Sequence, residues 1–470
     1  MEIFQQIMST FGAAIILPVF IFVAELALKI KPGQAFKSAI YIGIGLNGLV
    51  SILNPYFLGA MGAAITEMIS TQGIQLPYID TGWGVLSALS YSTTIGAAII
   101  PVGLIVNLIL IRFDFTDTLD IDVWNYWQWA FIGTLIYYQT GNYVMGITVA
   151  VLMELICLAL ADIAAPRMQE FFDLPGITFP HGSMISGTLF AMILRWPLEK
   201  LGILNIKVNS DSIQRRFGVF GDSVVVGFII ACVIGLIAYV GQYNSMETWA
   251  SILTMGVATG SFIYLYPKAT SALLEGFNVL SERVRDIITE RGGDREIDFG
   301  LDGALAVGHP DTITTGLISM VIAVGMIFFL PGNEFLMLAD LGVTPFFLAA
   351  GTVAIMNGNI IASVITNIVS LTVTFYFSTW ISPVFNNIAR QIGGIDVESG
   401  AALVGADIRP VAGISYYLGQ NWIIIIVAII LILAIMKFVR NNNRVRELLT
   451  GHKFPEEEEI LGGESYEHTK

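Results

Sequence analysis

The stretch Gly176-Ile177-Thr178-Phe179-Pro180-His181-Gly182-Ser183 lies inside a strongly apolar sequence, yet it contains one of only four histidines in the chain. Its proline removes a backbone N–H donor, so the stretch cannot be part of an uninterrupted helix. Broken backbone at membrane depth is tolerated only where it is buried in protein or lines a cavity, because exposed amide groups find no partners in lipid. Transporters bind their substrates in such segments. We therefore predict that His181 belongs to a binding site.

A second stretch of the same kind begins at Gly300 and reads Gly-Leu-Asp-Gly-Ala-Leu-Ala-Val-Gly-His-Pro-Asp, ending at Asp311. It contains His309, whereas the other two histidines, His452 and His468, lie after the last apolar run. Every histidine of the apolar body therefore lies beside a proline and a glycine. Two such interrupted segments, one in each half of a chain, indicate a transporter binding site at the interface of structural repeats.

The composition indicates a membrane protein. Of the 470 residues, 55% are hydrophobic and only 13% are charged, whereas soluble domains carry about 25% charged residues. The mean hydropathy is +0.73. A membrane-spanning helix needs roughly 20 apolar residues. By this measure the chain contains about ten to twelve membrane segments, some of them interrupted by glycine and proline. We predict an all-α polytopic membrane protein, and nothing in its net charge of −14 points to nucleic acid.

The interrupted segments divide the chain into a first membrane half, residues 1–220, and a second membrane half, residues 221–440, followed by an acidic tail, residues 441–470. Each half opens with ordinary spans and carries one histidine-bearing segment, although no repeat is visible residue by residue. A basic cluster follows the last span, at Lys437, Arg440, Arg444 and Arg446. Because cytoplasmic loops carry an excess of lysine and arginine, we place the C-terminus in the cytoplasm.

The polar side chains of the apolar body match the needs of a neutral sugar or polyol. Such a ligand requires hydrogen-bond donors and acceptors on short, rigid side chains, and a neutral imidazole supplies one of each. The candidate ligand-binding residues are His181, His309, Asp302, Asp311, Gln139 and Asn142. For each histidine the alternative is a hydrogen-bonded core residue, and for the two amides it is a bond between helices. The two histidines favour binding, because both lie in interrupted segments and none lies elsewhere in the apolar body.

Two other classes of function stay open. Glu154 and Asp162 lie eight residues apart, on roughly the same side of a helix, and intramembrane acids usually face a bundle interior or a water path. They are the candidate coupling acids of a proton- or sodium-driven secondary transporter. The third class is an intramembrane enzyme that uses His181 and His309 with the neighbouring acids.

The sequence predicts no cofactor and no metal. Neither H-x-x-x-H nor H-E-x-x-H spacing is present, so the histidines do not follow a zinc-binding pattern. There is no Walker loop, and the two cysteines, Cys157 and Cys232, lie in apolar runs without redox or metal spacing. A phosphocysteine donor, if the function needs one, must therefore lie on another polypeptide.

Several motifs of this chain resemble the galactitol-type enzyme IIC permeases of the bacterial phosphotransferase system, which belong to the ascorbate–galactitol superfamily. The motifs are Thr178–Gly182, Asp211–Gly218, Gly300–Asp302 with Gly308-His309, Ile42–Leu46, Asp80 with Gly82-Trp83, Asp122–Trp127 and Pro331–Asn333. The similarity runs through nearly the whole chain in collinear order, and the acidic tail lies outside it.

The resemblance implies a homodimeric permease in the cell membrane of a prokaryote. Each protomer would have a dimerising domain and a core domain with two re-entrant hairpins, which carries a sugar alcohol such as galactitol across the membrane by an elevator movement. The sugar would then be phosphorylated by a phosphocysteine on enzyme IIB, which receives its phosphoryl group through enzyme IIA. The residues that transfer the phosphoryl group would therefore lie on partner proteins, and not on this chain.

The resemblance also implies which residues contact the sugar. His181 and Gly182 fall on the first hairpin, and Asp302 and His309 fall on the second substrate-facing segment. Gln139 lies where the related ascorbate permeases place polar substrate contacts. The sequence departs from the galactitol pattern at Tyr137-Tyr138-Gln139 and at Pro310-Asp311. These two differences leave the particular sugar open.

Overall fold

The computed structural model describes residues 13–52, 63–64, 67, 76–206, 208–217, 223–290, 297–392 and 403–454. Over these residues the chain is mostly helical. The helices, in chain order, are α1 (Ala13–Ala27), α2 (Pro32–Ile52), α3 (Trp83–Tyr91), α4 (Thr94–Arg112), α5 (Val123–Thr140), α6 (Tyr143–Phe172), α7 (Gly182–Lys200), α8 (Ser210–Phe217), α9 (Ser223–Ala238), α10 (Met246–Glu290), α11 (Ala304–Val307), α12 (Pro310–Phe329), α13 (Thr344–Val353), α14 (Ile360–Ile392), α15 (Pro410–Leu418), α16 (Trp422–Arg440) and α17 (Asn443–Thr450). A short 3₁₀ turn follows α7 at Ile203–Asn205.

Six of these helices, in the described part of the chain, contain stretches long and apolar enough to cross a membrane. They are α4, α6, the first part of α10 (Met246–Leu265), α12, most of α14 (Ile360–Ala389) and α16. At 1.5 Å of rise per residue, about 20 residues match the roughly 30 Å hydrocarbon core of a bilayer. The prediction of a multi-pass membrane protein is therefore confirmed, whereas the larger count of about ten to twelve segments stays a prediction.

Within the described residues, six short β-strands interrupt the helices, so the chain is mostly helical and the predicted all-α fold is modified at these points. The strands are β1 (Tyr78–Asp80), β2 (Thr118–Asp120), β3 (Ile177–Thr178), β4 (Asp298–Gly300), β5 (Phe335–Leu336) and β6 (Leu403–Gly405). They form two three-stranded sheets with parallel pairing throughout: sheet A in the order β5-β1-β6, and sheet B in the order β2-β4-β3. The sheets supply hydrogen-bond partners to backbone that leaves helical geometry, which an apolar surrounding would otherwise leave unsatisfied.

Each sheet takes its central strand from one part of the chain and its outer strands from the other. In sheet A, β1 lies between β5 and β6, which come more than 250 residues later. In sheet B the relation is reversed, because the late strand β4 lies between the early strands β2 and β3. Exchanging β1 with β4, β2 with β5 and β3 with β6 converts one strand order into the other. The two sheets therefore interlock the early and late parts of the chain.

Helices α1, α2, α9 and α10 pack against one another at one side of the molecule. α2 approaches α10 closely at Gly276, where a Cβ atom would lie 2.8 Å from the carbonyl oxygen of Ser38. Ser38 in turn donates a hydrogen bond of 2.6 Å to the buried carboxyl group of Glu25 on α1. The principal contact between this bundle and the sheet-bearing part runs from α9 to α12.

The region predicted as an acidic tail is partly folded. Helix α17 begins at an Asn442 cap and ends at Gly451, which adopts a left-handed conformation with φ of 72°. It packs against α6, α7 and α16. Residues 455–470, which hold most of the acidic side chains of the tail, lie outside the described residues.

Candidate ligand-binding site

The carboxyl ends of the three strands of sheet B bring together residues that are distant in sequence. β2 leads into Asp122, β3 leads into His181 and Gly182, and β4 leads into Asp302. Asp120 and Thr178 are both in register with Gly300. Because all three strands are parallel, the side chains that follow them meet at one edge of the sheet. This edge carries the candidate site.

His181 lies at the N-cap position of α7 and is only 6% exposed. Its Nε2 is 3.0 Å from Nε2 of Gln128 and 3.8 Å from Oδ1 of Asp302. An amide nitrogen can only donate, so His181 accepts through Nε2 and, in its neutral tautomer, carries its proton on Nδ1. That Nδ1 atom is buried and has no hydrogen-bond partner. The ring also contacts Phe347, with 4.9 Å between the ring centroids.

The electrostatic environment keeps His181 neutral. Burial, and secondly the positive charge of Arg409, lowers the pKa of His181 to about 3. The imidazole is therefore uncharged at neutral pH, so its approach to Asp302 is not an ion pair. A neutral ring with one unpartnered N–H is suited to a ligand hydroxyl, which can accept that hydrogen bond without bringing a charge into the protein.

Gly182 is required by the close approach of α5. A Cβ atom at this position would lie only 2.1 Å from Oε1 of Gln128. Any side chain at residue 182 would therefore displace the Gln128 amide, which also donates to Ser183 Oγ at 3.3 Å. The same amide orients the imidazole of His181. Gly182 therefore affects the orientation of His181 indirectly, through the position of Gln128.

Two carboxyl groups form the opposite wall. The Asp302 N–H donates to Asp122 Oδ2 at 3.0 Å, and Asp302 Oδ1 accepts from the Ala304 N–H at 2.9 Å. Burial raises the pKa of Asp302 to about 6, and burial together with the charge of Asp302 raises the pKa of Asp122 to about 7. The Asp302 side chain keeps 23% of its surface exposed, against 7% for His181. A ligand would therefore approach from the side of Asp302.

The structure places the second histidine elsewhere. His309 precedes α12 and accepts a hydrogen bond from the Asp311 N–H through Nδ1, at 3.3 Å. Its ring packs against Phe171 and Phe172, with centroid distances of 4.7 and 5.5 Å. Asp311 accepts from the backbone N–H of Ser210 at 2.7 Å. Within the described residues, no hydrogen bond or ring contact joins His309 to His181 or to Asp302.

Gln139 and Asn142 lie far from His181. Gln139 is eleven residues after Gln128 on the same helix, which corresponds to about 16 Å along the axis. It accepts from Tyr416 Oη at 2.7 Å and donates to Gln420 at 3.2 Å, linking α5 to the end of α15. Asn142 caps α6 by accepting from the Met145 N–H at 3.0 Å. These hydrogen bonds stabilise the exposed connection between α5 and α6.

An ionic network occupies the corresponding edge of sheet A, and the sequence analysis did not identify it. Arg409 precedes α15 as His181 precedes α7, and its Nη2 lies 3.2 Å from Asp340 Oδ2 and 3.0 Å from Asp407 Oδ2. Thr344 donates to Asp407, and the Asp340 N–H donates to Asp80 at 2.7 Å. Breaking a buried ion pair by removing one partner costs about 3–5 kcal/mol. At the edge of sheet A the charged groups thus pair with one another, whereas the edge of sheet B holds a neutral histidine beside a partly exposed carboxyl group.

The two acids of the ion-coupled alternative have different surroundings. Glu154 is fully buried in α6, and neither of its carboxyl oxygens has a hydrogen-bond partner. Asp162 accepts from Thr118 Oγ1 at 2.7 Å and lines a cavity. In the described part of the chain, no group of three or more His, Cys, Asp or Glu residues is placed to hold a metal ion.

Comparison with known proteins gives consistent matches over most of the chain. Residues 6–400 match the family described as "PTS system sugar-specific permease component". The "Putative permease IIC component" of Escherichia coli (strain K12) is 30% identical over 441 residues, which are 93% of this chain and 98% of that protein. The "PTS system galactitol-specific EIIC component" of Escherichia coli, from strain K12 and from O157:H7, is 28% identical over 385 residues, or 82% of this chain and 83% of each relative.

Proposed function

Because this chain belongs to the family of sugar-specific permease components of the phosphotransferase system, we propose that it carries a sugar alcohol across the cell membrane for phosphorylation. Galactitol-specific components are among its relatives, which favours galactitol or a similar polyol as the substrate. The observation that carries the proposal is the edge of sheet B: the Nδ1 of His181 is buried without a hydrogen-bond partner, and the Nε2 of the same ring lies 3.8 Å from the partly exposed carboxyl group of Asp302.

The residues of this edge have complementary roles towards a polyol. The Nδ1–H of His181 donates to one hydroxyl oxygen, and the Asp302 carboxylate accepts from a hydroxyl group. Gln128 selects the tautomer of His181, and Gly182 leaves the space that the Gln128 amide needs. For His309, Asp311, Gln139 and Asn142 the binding role stays a prediction, because the contacts described for them are with other parts of the protein.

The phosphoryl donor of this proposal is enzyme IIB, which is itself charged through enzyme IIA. The phosphoryl group moves from a cysteine sulfur of enzyme IIB to a hydroxyl oxygen of the sugar. The S–P bond breaks and an O–P bond forms, and the hydroxyl proton goes to the departing cysteine thiolate. The cysteines of this chain do not suit that role, since Cys157 is buried and Cys232 lies part-buried within helix α9. The chain is accordingly the permease subunit, and the residues that transfer the phosphoryl group lie on its partners.

The movement we propose is an elevator displacement of the sheet-bearing core, with the two interrupted segments as re-entrant hairpins. Two observations support this movement, and a third indicates the orientation of the chain in the membrane. The two sheets interlock an early and a late half, as expected for repeats of inverted topology. The bundle of α1, α2, α9 and α10 packs mainly on itself, which suits a static dimerising domain in a homodimer. The basic cluster after α16 favours a cytoplasmic C-terminus.

Uptake by membrane vesicles tests the proposal. Vesicles that contain the protein should accumulate phosphorylated polyol only when phosphoenolpyruvate and the enzyme IIA and IIB partners are present, and ionophores should not abolish the uptake. Ionophore-sensitive accumulation of unmodified polyol would contradict the proposal. It would instead favour the second candidate, a proton- or sodium-coupled transporter, which the unpartnered carboxyl group of Glu154 within a span supports.

A further inference from the structure

A cavity of about 430 Å³ lies between α6, the end of α16, α17 and the starts of β2 and β4. Its volume is within the range of about 300–1,000 Å³ that is typical of small-molecule sites. Three carboxyl groups and two guanidinium groups line it, from Asp117, Asp162, Asp298, Arg440 and Arg446. None of these residues belongs to the edge that carries His181.

The cavity and the His181 edge lie at opposite ends of the same sheet. Asp117 precedes β2 and Asp298 opens β4, whereas Asp122 and Asp302 follow these two strands. Strands of three residues span about 10 Å, so the cavity is separated from the candidate site by the length of the strands of sheet B.

Hydroxyl groups connect the two ends of sheet B. Thr118 Oγ1 donates to Asp162 Oδ1 at 2.7 Å and lies 3.1 Å from Thr178 Oγ1. Thr178 ends β3, three residues before His181. The wall of the cavity is therefore continuous, through hydrogen bonds, with the strand that positions the imidazole.

The two guanidinium groups are only partly paired. Arg440 Nη2 lies 2.9 Å from Asp117 Oδ1, and Arg446 Nη2 donates to the backbone oxygen of Asp162 at 3.1 Å. Arg440 Nη1 and Arg446 Nε are buried and have no hydrogen-bond partner. Buried donors without acceptors are costly and rare in folded proteins. Their position in the wall of a polar cavity points to a ligand that brings acceptors.

The balance of charge identifies the class of that ligand. Among the described residues that line the cavity, the two guanidinium groups do not outnumber the three carboxyl groups, so this part of the chain does not supply the excess of positive charge that a phosphate ester or an anionic headgroup would require. A polyol is neutral, and each of its hydroxyl groups can accept from an arginine while donating to a carboxylate. Paired donors and acceptors in the wall therefore fit a polyhydroxylated, uncharged molecule.

We propose that this cavity is a second binding site for the neutral polyol, separated by sheet B from the site at His181. The inference rests on the proposed function, because it takes the transported polyol as the ligand. Arg440 and Arg446 lie in the basic cluster that the positive-inside rule places at the cytoplasmic face. The cavity then holds the polyol on the side where the phosphoryl donor acts, before phosphorylation.

A cysteine-protection experiment on the purified full-length chain tests the site directly. Gln169 lines the cavity, so the variant Gln169→Cys places a reactive thiol in its wall. Cys232 is replaced by alanine so that it does not react, and Cys157 can stay because it is fully buried. Galactitol at ten times its Kd should slow the reaction of residue 169 with a soluble maleimide about tenfold, by mass action. Lys453→Cys, on an exposed residue outside the cavity wall, is the matched control and should react at an unchanged rate.

Two further variants separate this site from the one at His181. Protection of residue 169 should persist when His181→Ala is added, and it should be lost when Arg446→Gln is added. A polyol that is transported but does not protect residue 169, or protection that disappears with His181→Ala, would overturn the inference and leave the proposed function standing. If no polyol is bound or transported by the chain, the proposed function fails and the inference fails with it.

Discussion

Replacement of His181 by alanine is the sharpest test of the candidate site. The imidazole supplies an unpartnered N–H at this edge, at Nδ1, while its Nε2 accepts from Gln128. Without the ring, a bound hydroxyl keeps its place but loses its donor. Leaving a buried polar group unsatisfied costs about 1–3 kcal/mol. Since 1.4 kcal/mol corresponds to a factor of ten, the Kd for the polyol should rise roughly 5- to 150-fold.

Isothermal titration of purified protein with a panel of polyols and sugars measures this change. His181→Asn is the matched variant, because its amide keeps one donor group and one acceptor at the same position. We expect it to retain part of the affinity that His181→Ala loses. Both variants are checked for a native elution profile and melting transition. Wild-type affinity in a folded His181→Ala preparation would refute the assignment and make His181 a core residue.

Four further variants test other parts of the structure. Gly182→Ala should weaken polyol binding as His181→Ala does, because the added methyl group displaces Gln128; unchanged titration curves would contradict this. Burial raises the pKa of Asp302 to about 6. The affinity for the polyol should therefore fall as the pH drops below about 6, because the carboxylate becomes protonated. The variant Asp302→Asn should show no such dependence of Kd on pH. Arg409→Met should lower the free energy of unfolding by about 3–5 kcal/mol, because it leaves two buried carboxyl groups unpaired; a melting temperature equal to that of the wild type would count against a structural role. His309→Ala should cost about 1 kcal/mol of stability through the lost helix cap, and a large rise in Kd would instead support a binding role.

The membrane class and the interrupted segments could be predicted from local sequence. Hydropathy summed over about 20 residues identifies a span without knowledge of its neighbours, and α4 and α16 lie in runs of this kind. The proline and glycine residues next to His181 and His309 interrupt a helix whatever tertiary contacts the chain makes. The short strands gave no signal, because two or three residues are too few to show a period of alternation.

The residues around His181 show where local reasoning fails. Asp302 was predicted, but Gln128 was not, since it lies between Trp127 and Trp129 in a segment typical of an interfacial aromatic belt. The structure instead buries both tryptophans and aims the Gln128 amide at His181. The contact joins residues 53 positions apart, and no sequence pattern near Gln128 specifies it.

The sequence by itself determined the environment of this protein, its family motifs and the places where its helices break, because each of these depends on residues that are neighbours along the chain. The tertiary structure alone decided that β4 joins β2 and β3, which places Asp302 against Asp122 across 180 positions. It also decided that His181, one of two similar histidines, lies beside Asp302. Such pairings arise from hydrogen bonds and burial between distant segments, and their energies exist only once the chain has brought those segments together.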